Sequence, residues 1–362
     1  MKVALVHDYL YQMGGAERVV LALHEIFPEA PLFTSIYHQE GMPEEFRKID
    51  IRTSFMQKLP IVFNKPRYYF RIYPKAFESF DFSSFDLIIS SNSAFAKGIK
   101  KPPHAIHVCY CHTPMRFAWW YRNYIKYERI NPILKMLLPY YMGKIKKWDW
   151  NTAQKVDYFI ANSVNVQKRV MEIYGRESDI IYPPVDTDIY SVAGGKGDYF
   201  LIVSRLLPYK RLDIAVDAFT EIGLPLEIVG TGPDEKRLKA KAGKNIKFHG
   251  WIEDDTVVAA LYKECRALIQ TGEEDFGIVP IEAAACGRPT IAFAAGGALE
   301  SVIDGQTGLL FDRQDAKSLI KALFKFEKMY FDTGQIRRHA ESFSKENFKK
   351  KVGKYLHENK IL

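Results

Sequence analysis

The sequence predicts an α/β protein made of two doubly wound parallel sheets, and two observations carry that expectation. Short apolar, β-branched runs alternate with helical periodicity along nearly the whole chain, which is the pattern of parallel strands joined by crossover helices. The alternation breaks at "PPVDTDIYSVAGGKGD", residues 183–198, where prolines and glycines replace periodicity. Before the break, strands are expected at "KVALVHD", "PLFTSIY", "LIISSN", "IHVCYC" and "YFIANS"; after it, at "YFLIVSR", "LEIVGTG", "IKFHGWI", "ALIQTG" and "TIAFAAGG". A chain of 362 residues that is 47% hydrophobic has core enough for two domains. The expected boundaries are an N-terminal domain 1–185, a linker 186–197, a C-terminal domain 198–341 and a closing helical segment 342–362. Doubly wound sheets bind ligands outside the carboxyl ends of their strands, so the site is expected in a cleft between the halves.

Composition narrows the partners. No apolar stretch reaches the roughly 18 residues that span a bilayer, and His7 and Asp8 interrupt the opening "MKVALVHDYL", which reads as a first strand and not a signal peptide. A cytoplasmic protein is expected. Cys109, Cys111, Cys265 and Cys286 form no metal-ligand pattern and read as buried free thiols, with Cys109 and Cys111 set on opposite faces of their strand. A net charge of +8 points to an anionic partner: nucleic acid, an acidic membrane surface or a phosphorylated small molecule.

Four short stretches carry chemistry. In "YQMGGAERVV", Gly14 and Gly15 follow the first strand and open a helix whose first amides can meet a phosphate, although a plain tight turn would look alike. In "VSRLLPYKRLD", Arg205 lies just past a strand and Lys210 at the next helix start, a cation pair suited to a diphosphate or merely a charged surface. "VCYCHTPMR" ends a buried strand at His112, which is placed to reach a ligand or to serve the core. In "EEDFGIVPIEAAACGRPTIA", Pro280 fits the first turn of a helix that Gly287 stops. Glu274 then precedes the helix and Glu282 lies in its first turn, too far apart for an i, i+4 surface pair and well suited to sugar hydroxyls. The amides of Gly277 and Ile278 lie between them.

The Glu-x7-Glu element "EDFGIVPIE" resembles the signature of retaining nucleotide-sugar glycosyltransferases of family 4 with the GT-B fold, two Rossmann-like domains facing across a cleft. The likeness continues through "GGAERV", "CHTPMR", "NSVNVQKRV", "YPPVDTDIY", "SRLLPYKRLD", "GTGP", "FHGWI", "GGALESVIDGQTGLLF" and "FSKENF", in order along nearly the whole chain. The resemblance implies that Arg205 and Lys210 neutralise the donor diphosphate and that Glu282 holds the ribose. It implies that Glu274 orients the transferred sugar, which His112 reaches from the other domain. Gly14 and Gly15 would lie near the phosphates, Gly250 and Trp251 would frame the base, and the helix begun by "FSKENF" would cross back to the N-terminal domain.

The expected reaction moves a hexose from a nucleoside diphosphate to a hydroxyl of a glycan or lipid-linked acceptor. The anomeric configuration is kept by front-face substitution, with no cofactor and no metal. The "DTD" at 186–188 resembles the metal motif of another glycosyltransferase fold but sits in the linker, and "GTGPDEKR" lacks the P-loop ending. The opening "VALVHDYLYQMGGAERV" with "CHTPMR" most resembles mannosyltransferases of surface-polysaccharide assembly, which favours GDP-mannose; UDP-sugars stay open. Rival readings are a sugar-nucleotide epimerase or hydrolase, a dehydrogenase that lacks its glycine fingerprint, and a nucleic-acid binder. No nucleic-acid partner is expected, because that reading leaves these motifs unused. Residues 51–77 hold six basic residues and no acid, and residues 116–151 hold four of the five tryptophans. An anionic membrane is therefore expected to meet the N-terminal domain through Lys58, Lys65, Arg67, Arg71, Lys144, Lys146 and Lys147.

Overall fold

The computed structural model describes residues 1–63, 66–121, 132–192, 195 and 197–362, with side chains except at 66, 67 and 132–134. The chain divides into two compact units, Met1–Pro184 with Phe348–Leu362, and Val185–Asn347. Each is built on one parallel sheet, so the chain has two Rossmann-like α/β halves.

In the first unit the strands are β1 (Val3–His7), β2 (Leu32–Thr34), β3 (Ile51–Thr53), β4 (Leu87–Asn92), β5 (Ile106–Cys111), β6 (Tyr158–Ala161) and β7 (Asp179–Ile180). Their order is β3-β2-β1-β4-β5-β6-β7. Strand order reverses direction between β1 and β4, where His7 pairs with Ser91. Crossovers leave to opposite faces on the two sides of such a reversal, which opens a crevice at the strands' carboxyl ends. Burial on both faces explains why these strands read as continuous apolar runs. One face packs on the helix Gly15–Ile26 through Val19, Val20 and Leu23, together with Phe348, Val352 and Leu356 of the closing helix Lys345–Glu358. The other face carries an aromatic core that includes Phe33, Phe77, Phe82 and Phe95.

The second unit contains β8 (Tyr199–Val203), β9 (Leu226–Val229), β10 (Ile246–Gly250), β11 (Cys265–Gln270), β12 (Thr290–Phe293) and β13 (Gly308–Phe311). Their order is β10-β9-β8-β11-β12-β13, and the reversal falls between β8 and β11. The two units thus repeat one wiring rule.

Three strands go beyond the sequence expectation. β3 and β7 are edge strands of three and two residues, too short for an alternation to register. β13 lies inside the glycine-bounded run "TGLLF", whose length does not separate strand from loop. The four cysteines are buried free thiols, as expected. Their expected placement needs correction: residues two apart on a strand share a face, and Cys109 and Cys111 pack in one apolar cluster with Phe159 and Val166. Among the described residues no helix is long and apolar enough to cross a membrane.

Candidate active site

In the second unit the site residues gather at the β8/β11 reversal. After β8 the chain turns through Arg205, whose side chain is exposed, and a short turn Pro208–Lys210 before the helix Leu212–Ile222. The "GTGP" glycines let this turn sit close. A Cβ on Gly230 would stand 2.0 Å from the Ser204 carbonyl oxygen, and one on Gly232 2.3 Å from that of Leu206. Their role here is close packing, since no larger residue fits.

Lys210 and Glu274 meet directly. The Lys210 ammonium donates to Glu274 Oε1 at 2.5 Å, with side chains 15% and 22% exposed. Glu274 is fixed through its backbone: the Gly297 amide donates to its carbonyl oxygen at 3.0 Å, and a Cβ on Gly297 would strike the Phe276 carbonyl oxygen at 2.1 Å. Gly277, at φ +79°, supplies the left-handed turn that leads through Ile278 into the helix Val279–Ala285. Pro280 stands in the first turn of that helix and Gly287 follows its end at φ +70°. Glu282 lies in the same first turn, buried, and accepts a hydrogen bond from the Tyr262 hydroxyl at 2.9 Å. Gly250 closes β10 at φ +75°, its carbonyl accepts from the Gly230 amide at 2.7 Å, and Trp251 beyond it is 55% exposed. Lys210 and Glu274 are therefore paired, Gly277 and Ile278 lead from Glu274 into the helix that carries Glu282, and Gly230 ties Gly250 to the turn that carries Arg205.

The first unit uses the corresponding reversal, between β1 and β4. Gly14 is the N-cap of the helix Gly15–Ile26 in extended conformation, without a side-chain cap bond. A Cβ there would stand 2.9 Å from Glu17 Oε2. Glu17 points back under the loop, where its Oε1 lies 3.2 Å from His7 Nε2. His7 Nδ1 faces the Ser91 carbonyl oxygen at 3.2 Å and the Ser91 hydroxyl at 3.1 Å. Ser91 Oγ in turn lies 2.8 Å from His112 Nε2. His112, one residue past β5, is 9% exposed, and the Tyr110 ring stands edge-on to it at 5.1 Å. Burial first, then the charge of His7, pushes the His112 pKa down to about 3. Burial alone would lower His7 too, but the hydrogen bond and charge of Glu17, with the charge of Asp8, raise it above 6.5. Thr113 Oγ1, beside His112, is buried with no hydrogen-bond partner among the described residues.

Sequence reasoning missed Tyr262, Glu17, His7 and Ser91. Tyr262 sits on an apolar helix stripe that reads as core, and His7 and Ser91 lie inside strands. Glu17 alone had a signal, as the acid in "GGAE". Among the described residues no group of three or more His, Cys, Asp or Glu is placed to hold a metal ion.

The motifs and the fold resemble those of GT-B glycosyltransferases, and comparison with known proteins agrees. Residues 13–189 match the model described as Glycosyltransferase Family 4, and residues 191–354 match Glycosyl transferases group 1. The chain belongs to the group 1, family 4 glycosyltransferases of GT-B fold. It is 30% identical over 198 residues, 52% of this chain and 55% of the relative, to an uncharacterized glycosyltransferase of Methanocaldococcus jannaschii. The chain thus spans about half the length of this curated relative. Among solved structures, Anabaena HepE in complex with UDP aligns with TM-score 0.72 at 19% identity, covering 99% of this chain and 100% of that one. Sucrose-phosphate synthase from Thermosynechococcus elongatus aligns with TM-score 0.77 at 17% identity, covering 99% of both. At these identities the two structures speak to the fold alone.

Proposed function

We propose that the protein transfers a hexose, mannose from GDP-mannose in the first instance, to a hydroxyl of a glycan or lipid-linked acceptor, with retention of anomeric configuration. The observation that carries this reading is the Lys210–Glu274 pair at 2.5 Å, a cation and a carboxylate held together at the strand-order reversal of the second unit. In the proposed step the bond from the anomeric carbon to the diphosphate oxygen breaks while the bond to the acceptor oxygen forms on the same face. The departing phosphate takes the acceptor proton. Negative charge grows on the diphosphate, so Arg205 and Lys210 act where it develops and no divalent metal is required. Glu282, oriented by Tyr262, is assigned to the ribose, Glu274 to the hexose, and His112 to a hexose hydroxyl. Gly14 and Gly15 are assigned to the phosphates, Gly277 and Ile278 to the diphosphate end, and Gly250 and Trp251 to the base.

A uridine donor is the second reading, favoured by the UDP bound in the Anabaena neighbour. Thermal shift in EDTA with GDP-mannose, UDP-glucose, UDP-galactose and UDP-N-acetylglucosamine separates the two. A donor at 100 times its dissociation constant adds about 2.7 kcal/mol. Stabilisation by GDP-mannose supports the first reading, stabilisation by a UDP-sugar alone the second, and none by any donor rejects both.

The same proposal places the first unit on an anionic membrane, where a lipid-linked acceptor would wait. Phe55, Ile61, Tyr68, Met136 and Tyr140 are exposed, and the Arg71 guanidinium lies 4.2 Å over the Tyr141 ring, joining the basic segment to the helix Pro132–Ala153. Lys58, Arg71, Lys144 and Lys147 are exposed, and Lys146 is half-buried. Lys65 and the side chain of Arg67 lie outside the described residues. Co-sedimentation with anionic and neutral vesicles at low salt tests the idea: equal recovery in the supernatant with both sinks it.

A further inference from the structure

The chain of contacts behind His112 carries an assignment of protons. Hydrogen-bond roles follow from which atoms can only accept. An ionised Glu17 carboxylate only accepts, so His7 Nε2, 3.2 Å away, carries a proton. The Ser91 carbonyl oxygen also only accepts, so His7 Nδ1, 3.2 Å away, carries one too. Taken as a donor on both ring nitrogens, the assignment in keeping with its raised pKa, His7 is an imidazolium. Its Nδ1–H lies 3.1 Å from Ser91 Oγ as well, so that hydroxyl accepts on this side and turns its own proton toward His112 Nε2, 2.8 Å away. His112 Nε2 is then an acceptor, and the proton of a neutral ring is on Nδ1. That nitrogen has no hydrogen-bond partner among the described residues, and the residue is 9% exposed.

We propose that Glu17, His7 and Ser91 form a positioning relay that fixes His112 as the Nδ1–H tautomer, presenting a neutral donor to a hydroxyl oxygen of the transferred sugar. The proposal rests on the reading that His112 meets that sugar. Glu17, His7 and Ser91 touch no substrate; they act through His112. Their burial fits this: His7 is 2% exposed, Ser91 1% and Glu17 9%. Among the described residues, the groups set against His7 are Glu17 from the first helix, Asp8 on its own strand, Ser91 from β4, and His112 beyond β5. Asp8 does not compete for the relay protons, because its two carboxylate oxygens accept the backbone amides of Ser93, Ala94, Phe95 and Ala96 at 2.6–2.9 Å.

The relay also has a pH sense. When His7 loses its proton as pH rises through its raised pKa, the Ser91 hydroxyl can donate to His7 and accept from His112 Nε2. The His112 tautomer then reverses. A neutral side chain that offers N–H at low pH would offer a lone pair at high pH, and donation to the sugar would be lost without any change in the charge of His112.

The test is the tautomer itself, read by 1H–15N NMR of the full chain labelled with 15N-histidine, with the signals assigned through the variants His7→Gln and His112→Gln. At pH 7 the proposal expects a protonated Nδ1 and an unprotonated Nε2 on His112, and two protonated nitrogens on His7. Ser91→Ala, checked for folding by its melting temperature, is expected to move the His112 proton to Nε2. Glu17→Gln is expected to leave His7 neutral at pH 7. A wild-type His112 protonated on Nε2, or a neutral wild-type His7, overturns the relay. For function, Ser91→Ala is expected to lower kcat up to roughly tenfold, about the worth of one net hydrogen bond to the sugar, while GDP and UDP bind as in wild type. If the tautomers are as described and kcat is unchanged, the relay stands as structure and the sugar contact of His112 fails.

Discussion

The two sheet reversals handle their polar groups in opposite ways. In the second unit a cation and a carboxylate, Lys210 and Glu274, are paired and reachable from solvent, and Arg205 is exposed. In the first unit burial does the reverse, holding His112 neutral with a pKa near 3, and the buried His7 ring lies 3.2 Å from Glu17, a contact that is ionic only while His7 is protonated. The contrast fits a division of labour. Charged, accessible groups suit a leaving group on which negative charge grows, whereas a neutral donor in a dry wall suits a hydroxyl that stays uncharged throughout. The same wiring therefore yields two different electrostatic environments, decided by a few side chains at the strand ends.

The largest effects should come from the charged end. Lys210→Ala is expected to slow sugar transfer by about ten- to over a hundredfold, the worth of a charged hydrogen bond of roughly 1.5–3 kcal/mol. Arg205→Ala should fall in the same direction with a smaller loss, since its guanidinium is exposed; steady-state rates with the preferred donor check both. Wild-type rates in the two variants would leave the charged end without a role.

Next come the two carboxylates. Glu282→Ala is expected to weaken nucleotide binding and Glu274→Ala to lower turnover. The observed ion pair sharpens the second expectation: removing Glu274 frees the Lys210 ammonium, so GDP or UDP should bind Glu274→Ala at least as tightly as wild type. Tyr262→Phe removes one hydrogen bond from Glu282 and should cost about 1 kcal/mol, or severalfold in nucleotide affinity. If Tyr262→Phe equals Glu282→Ala in cost, Tyr262 itself meets the ligand.

A further effect, outside the site's chemistry, is on stability. His107 and His112 both have pKa values lowered to about 3 from 6.5, first by burial. The unfolded chain binds more protons than the folded one between those values, so stability must fall as pH drops through that window and is regained above it. His107 is bonded to Ser90 Oγ at 2.8 Å, apart from the site contacts. His107→Gln should lessen the loss of urea-midpoint stability between pH 7 and pH 5, by up to about 1.4 kcal/mol per pH unit below 6.5. An unchanged acid limb would mean that His107 titrates normally.

How much of this could be read in the sequence follows from the kind of signal each residue leaves. The strand-helix rhythm announced the two sheets, because burial on both faces forces long apolar runs that turns must interrupt. Arg205, Lys210, Glu274 and Glu282 stood out because charges beside glycines and prolines at strand ends break that rhythm. The Lys210–Glu274 pairing was not legible, since it depends on β8 and β11 being neighbours although 64 residues separate the two side chains. His7 and Ser91 were silent for a related reason: they pair across parallel strands 84 residues apart, and a polar residue inside a strand looks like an accident until its partner is placed. Edge strands β3 and β7 were lost to brevity alone.

The central claim is that a nucleoside diphosphate binds the second unit through Lys210 with no metal. Calorimetry of GDP and UDP in EDTA, with wild type, Lys210→Ala and Glu274→Ala, tests it most directly. The account predicts that at least one nucleotide binds wild type, that Lys210→Ala binds it about ten- to over a hundredfold more weakly, and that Glu274→Ala binds it no more weakly. Equal affinity for wild type and Lys210→Ala, or binding that vanishes in EDTA, would contradict it.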